Sequence, residues 1–115
     1  IKKSYFIENN KSVAKVLMKN CKKICKNNEY EIFHEKAING LDNLFSITPS
    51  LIFIDPPYNK ENIRLILLKI IQNKIKSKNT IVIIETEKNE QILIPEEFTF
   101  FKEKIYGKTK LIFLN

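Results

Sequence analysis

The chain is predicted to be an α/β protein: a mostly parallel sheet that ends in an antiparallel hairpin. Three observations predict this. Short apolar strands alternate with helical segments, an order that builds parallel sheets. Leu51-Ile52-Phe53-Ile54 and the stretch Thr80 to Ile84 are apolar runs of the kind found in strands covered on both faces. Near the end, Tyr106-Gly107-Lys108 separates two further strands and reads as a hairpin turn.

The elements follow in order. Tyr5-Phe6-Ile7 is a short strand closing at Glu8. Asn10 or Ser12 caps a helix whose Val13, Leu17, Cys21, Ile24 and Cys25 keep a helical period opposite a lysine face. Tyr30 to His34 is a weaker strand, and Ala37 to Phe45 a short helix that should bury Ile38, Leu41 and Phe45. After the Leu51 to Ile54 strand, Ile63 to Ile75 is a helix with Ile63, Leu67, Ile70 and Ile71 on one side. Thr80 to Ile84 ends at Glu85; Ile92 to Glu97 is an irregular connection; Phe98 to Ile105 and Thr109 to Leu114 form the hairpin. Right-handed crossovers are expected between the parallel strands. Ligands of open α/β sheets bind outside the carboxyl ends of the strands, where Glu8, His34, Asp55 and Glu85 fall. The strand before the Tyr106-Gly107-Lys108 turn is expected to run parallel to the others, which carries that turn to the same rim.

Length and composition bound the possibilities. At 115 residues and 43% hydrophobic content the chain is a folded domain or part of one. No apolar run approaches the roughly 20 residues of a membrane span, and no secretory signal is visible, so a cytoplasmic location is expected. The formal charge of +7 suits a polyanionic partner, but all the cations except Arg64 are lysine, which is as consistent with codon bias. Cys21 and Cys25 share a helix face; with His34 the only histidine and no other cysteine, the four ligands of structural zinc are missing, and two reduced thiols are the expected reading.

Asp55-Pro56-Pro57-Tyr58 carries the chemistry. Proline fixes φ and lacks an N–H, and a residue before proline is held extended. Two in a row make a stiff loop of pre-oriented carbonyls beside the Asp55 carboxylate, with Tyr58 offering a face on which a base can stack. A turn after a strand is the plain alternative. A buried strand ending in Asp-Pro-Pro-Tyr resembles the active-site loop of enzymes that methylate an exocyclic amino group of a nucleobase. There the amine lone pair is delocalised into the ring, and acceptors on its protons free it for attack.

Taken with Ile81-Val82-Ile83-Ile84-Glu85 and Lys104-Ile105-Tyr106-Gly107-Lys108-Thr109, that loop makes essentially the whole chain similar to RsmD-type enzymes. These are 16S ribosomal RNA (guanine-N2) methyltransferases that use S-adenosylmethionine. The resemblance implies a Rossmann-like class I methyltransferase sheet in the order 3-2-1-4-5-7-6, with residues 1–115 as a partial methyltransferase domain lacking the first strand and helix. It implies Asp55, Pro56, Pro57 and Tyr58 as the catalytic loop, Glu8 as acceptor for the cofactor ribose, and small-subunit ribosomal RNA as partner, with no metal or membrane. Tyr106 and Lys108 match the family hairpin and are expected to contact substrate RNA, with a plain tight turn as the alternative. Glu85 matches a family acid of undefined role.

Two departures stand out. The family's Gly-rich cofactor loop precedes the strand matched by Tyr5 to Ile7, and this chain's only glycines, Gly40 and Gly107, cannot form it. Lys36 stands where the family has an adenine-binding Asp, with Glu35 beside it, and lysine has no acceptor. A missing N-terminal segment of the same protein is therefore an expected partner. A rearranged sheet, with the Tyr5 strand paired directly to Leu51–Ile54, is the alternative. Two other functions stay open: N6-adenine methylation of DNA or RNA, and a non-catalytic remnant that at most binds RNA.

Overall fold

The computed structural model describes residues 3–24, 26, 29–55 and 60–115. Two compact units make up the chain, Ile1–Asn43 and Leu44–Asn115.

In the first unit, β1 (Ser4–Ile7) and β2 (Tyr30–Phe33) pair in parallel, with Ile7 opposite Phe33. The connecting helix α1 (Lys11–Ile24) starts where the Asn10 side chain accepts the Val13 N–H at 3.1 Å, the expected cap. Its buried line is Ala14, Leu17 and Cys21, with Leu17 half-buried. Val13 is 48% and Ile24 82% exposed, so the predicted apolar face is rotated by about one position. The smallest side chain, Ala14, takes the inward place. Cys25 lies outside the described residues.

A second departure follows β2. The predicted helix over 37–45 is one turn of α-helix, α2 (Ala37–Gly40), continued as a 3-10 turn over Leu41–Leu44. The tighter 3-10 repeat aligns residues three apart. Leu41 and Leu44 are each buried, whereas Phe45 is 56% exposed, its ring under the Lys74 ammonium at 5.9 Å.

The second unit holds a four-stranded sheet in the order β3-β4-β6-β5, built from β3 (Leu51–Ile54), β4 (Ile81–Glu87), β5 (Phe100–Tyr106) and β6 (Thr109–Leu114). β3 and β4 are parallel, and α3 (Lys60–Gln72) connects them. Ile63, Leu67 and Ile70 of α3 are at most 1% exposed, as are Val82, Ile84 and Leu114 of the sheet; these side chains are the core of the unit. β4 runs past Glu85 to Glu87, two residues beyond its predicted end, because β6 pairs with it to Thr109.

α3 ends in a Schellman motif. Lys74 takes φ 55°, its N–H donates to the Ile71 carbonyl at 3.1 Å, and the Ile75 N–H reaches back to Ile70 at 3.0 Å. Ile70 and Ile75, the apolar pair this motif brings together, are both buried.

The expectation that β3 is covered on both faces is overturned. β3 is an edge strand of its sheet, and alternation shows: Ile54 is buried, whereas Leu51 and Phe53 are 56% and 55% exposed. β1 pairs with β2 and not with β3, so the alternative direct pairing does not form. The sheet of the first unit matches the pair 3-2 of the methyltransferase order, and that of the second matches 4-5-7-6.

Candidate active site

The parallel register of β3 and β4 places Ile54 opposite Ile84. The next residues are therefore neighbours: Asp55 directly follows β3, and Glu85 continues β4 on the face opposite the buried Ile84. The negative charge of Asp55 is the largest cause holding the Glu85 carboxyl above its ordinary range, and partial desolvation acts in the same direction. Glu85 is half-buried and Asp55 exposed. Pro56, Pro57 and Tyr58, the remainder of the predicted catalytic loop, lie outside the described residues.

β5 is antiparallel to β6, which is antiparallel to β4, so β5 runs with β4. Its terminal turn thus reaches the carboxyl end of the parallel strands, as expected. Tyr106 pairs with Thr109 across a two-residue loop, Gly107-Lys108. Gly107 has φ +56°, the left-handed first position that a II′ hairpin assigns to glycine. The Lys108 carbonyl accepts the Lys88 N–H at 2.8 Å, which ties the turn to the end of β4. Tyr106 is 56% exposed and the Lys108 side chain is also exposed. A plain tight turn would leave both exposed in the same way.

Glu8 belongs to the first unit, directly after β1. Its N–H donates to the Phe33 carbonyl at 3.0 Å, and its Oε2 accepts the Asn10 N–H at 3.0 Å. This carboxylate is oriented at the start of α1, where a helix favours negative charge. The neighbouring strand end carries His34, whose Nε2 is 3.0 Å from the Asn9 carbonyl.

The chain's own residues fit S-adenosylmethionine only in part. Glu8 is a fixed carboxylate suited to vicinal hydroxyls. Glu35 Oε2 already accepts the Asn43 amide at 2.7 Å, and the exposed Lys36 offers no acceptor, so the adenine position stays unfilled. Neither glycine can cradle the methionine part. Gly40 packs against Ile7, where an added Cβ would sit 2.5 Å from Cγ2, and Gly107 occupies the hairpin.

Sequence reasoning placed Asp55 and Glu85 at strand ends but missed that they are neighbours. The signal was present in part: both acids directly follow the last isoleucine of an apolar run. No helix of the described residues is long and apolar enough to cross a membrane.

This strand order, with acids at the carboxyl ends of its parallel strands, defines a Rossmann-like class I methyltransferase fold. A solved Haemophilus influenzae protein described as a candidate methylase superposes with a TM-score of 0.79 and 26% identity, covering 98% of this chain and 71% of that one. The chain belongs to the RsmD-type methyltransferase family, whose model, described as conserved hypothetical protein 95, matches residues 1–115. Ribosomal RNA small subunit methyltransferase D of Haemophilus influenzae is 28% identical over 108 residues, 92% of this chain and 56% of the relative. The protein of the same name from Buchnera aphidicola is 31% identical over 104 residues, covering 89% and 53%. The chain thus spans about half the length of these curated relatives.

Proposed function

We propose that this chain is the amine-binding part of an RNA methyltransferase that modifies the exocyclic N2 of a guanine in 16S ribosomal RNA in the cytoplasm, with S-adenosylmethionine as donor. One observation carries the reading: in a member of this family, Asp55 stands at the carboxyl end of β3, immediately before a double proline. Asp55 accepts a hydrogen bond from the target amine. That draws the nitrogen towards tetrahedral geometry and localises its lone pair. The Pro56 and Pro57 segment holds carbonyl acceptors, and Tyr58 stacks on the flipped base. Glu8 holds the ribose hydroxyls of the donor. Tyr106 and Lys108 contact substrate RNA beside the site.

No step through the donor is assigned to these residues, because its methionine cradle is not among them. A further segment of the same protein, carrying the Gly-rich loop and strand 1, supplies it. The support is that, among the described residues, β3 pairs along one edge only, and its Leu51 and Phe53 are exposed. An unpaired strand edge with apolar side chains favours an added strand.

Calorimetry and product analysis test the reading. This chain together with a segment bearing the glycine loop should bind S-adenosylmethionine and give N2-methylguanosine in small-subunit RNA. N6-methyladenosine as product would replace the guanine assignment. A second reading, a non-catalytic module that at most binds RNA, is favoured by the lack of a glycine loop and by Lys36. It prevails if no donor binding is seen with that segment present.

A further inference from the structure

We propose that α1 is a second RNA-binding element: a strip of lysines along its exposed side grips the phosphate backbone of the substrate RNA. This deepens the RNA-methyltransferase reading above and takes the identity of the polyanion from it.

The strip follows from the spacing. Lys11, Lys15, Lys19 and Lys23 recur every four residues, and Lys22 lies beside them. At 3.6 residues per turn these five positions fall within an arc of about 120°, and Lys11 to Lys23 spans roughly 18 Å of helix. All five are exposed. The inward line of Ala14, Leu17 and Cys21 lies outside that arc, on the far side of the helix. A bias towards lysine codons raises the number of lysines, but it does not gather them on one arc.

Paired carboxylates do not balance this charge. A lysine face that is merely solvated gains from acids interleaved at four-residue spacing, and α1 contains none. Its first turn also lacks the acid that would suit the helix dipole. Lysines four apart on a helix repel one another. Among the described residues none of the five forms a salt bridge. Other carboxylates of the unit are engaged elsewhere: Glu31 pairs with Lys3 at 3.4 Å, Glu29 accepts the Lys26 N–H at 2.7 Å, and Glu8 accepts the Asn10 N–H. A polyanion laid along the helix removes the repulsion and releases its own counterions.

The residue type sets what is recognised. Lysine is a point charge without the bidentate fork of arginine, so the strip holds phosphates and does not read bases. A membrane surface is the other polyanion with this charge. Binding there needs a free apolar face on the helix. Ala14 and Cys21 are buried, and the exposed Val13, Val16 and Ile24 are interrupted by Asn20. RNA is the partner this helix suits.

Two measurements on the full protein containing this chain test the strip. In titrations with small-subunit RNA at several salt concentrations, K15Q/K19Q should bind more weakly, and its slope of log K against log salt should fall by about 1.5 to 2. K15R/K19R should keep the wild-type slope. K74Q/K78Q removes the same charge from exposed lysines of the second unit and should move the slope by less than about 0.5. Equal losses in the two glutamine pairs would reduce the effect to net charge and overturn the strip.

Acetylation footprinting needs no substitution. Bound RNA should protect Lys15, Lys19 and Lys23 from acetic anhydride and leave Lys78 reactive; undiminished reactivity of the three overturns the proposal. Vesicles of phosphatidylcholine with about 30% phosphatidylserine supply an anionic surface for comparison. Protection by these vesicles and not by RNA would make α1 a membrane-surface helix, and the proposal would fail. Neither readout requires methyl transfer. RNA binding through α1 without transfer would therefore defeat the catalytic reading and leave the strip in place.

Discussion

Asp55 and Glu85, thirty positions apart in sequence, stand close enough for the charge of one to act on the other because β3 and β4 pair in the register that sets Ile54 opposite Ile84. Stability should respond to this proximity with a definite sign. Glu85 binds its proton more tightly in the folded chain than in the unfolded one. Its contribution is fully present below the unfolded value and is lost as pH rises through the raised folded value. Urea unfolding of the wild type and E85Q at a series of pH values checks this: the wild type should lose stability relative to E85Q as pH rises through that window. A constant difference contradicts it.

The end of α3 gives a backbone prediction. Lys74 occupies the left-handed position of the Schellman motif at φ 55°, and its ammonium sits over the Phe45 ring. Both K74G and K74A remove the ammonium, so comparing them isolates the backbone. Denaturant melts should find K74G more stable than K74A by about 1 kcal/mol, the cost of a Cβ in this conformation.

Gly40 and Ile7 supply a packing prediction within the first unit. An added Cβ at Gly40 meets Ile7 side-chain carbons at 2.5 to 3.1 Å. G40A should therefore cost about 1–3 kcal/mol by overpacking. In the double variant with I7A that clash is gone, and the two effects should fall short of additivity by about 1 kcal/mol. Strict additivity in a double-mutant cycle would rule out the close contact.

Lys108 tests the proposed RNA surface. Its carbonyl, not its side chain, ties the hairpin to Lys88, so K108A should leave the turn in place. Titrations of small-subunit RNA at several salt concentrations should show weaker binding and a slope of log K against log salt reduced by about 1. An unchanged slope would mean that Lys108 makes no phosphate contact.

The order of strands and helices, the buried face of α3 and the position of Asp55 at a strand end were legible in the sequence, because each depends on residues within a few positions of one another. Ile63, Leu67 and Ile70 recur at helical spacing, and Leu51 to Ile54 cannot be a loop. The Asp-Pro-Pro-Tyr resemblance likewise needed only four neighbours. Tertiary structure decided what depends on distant partners. Leu44 rather than Phe45 is buried because the helix tightens into a 3-10 turn. Ala14 rather than Val13 faces inward on α1. Leu51 and Phe53 are exposed because they lie, with Ile81, on the face of the sheet opposite the buried Ile54, which no local apolar pattern reveals. The Asp55–Glu85 proximity is of the same kind: hydrophobic periodicity announces that two strands exist, but only their pairing register, set by packing across the whole sheet, makes the two acids neighbours.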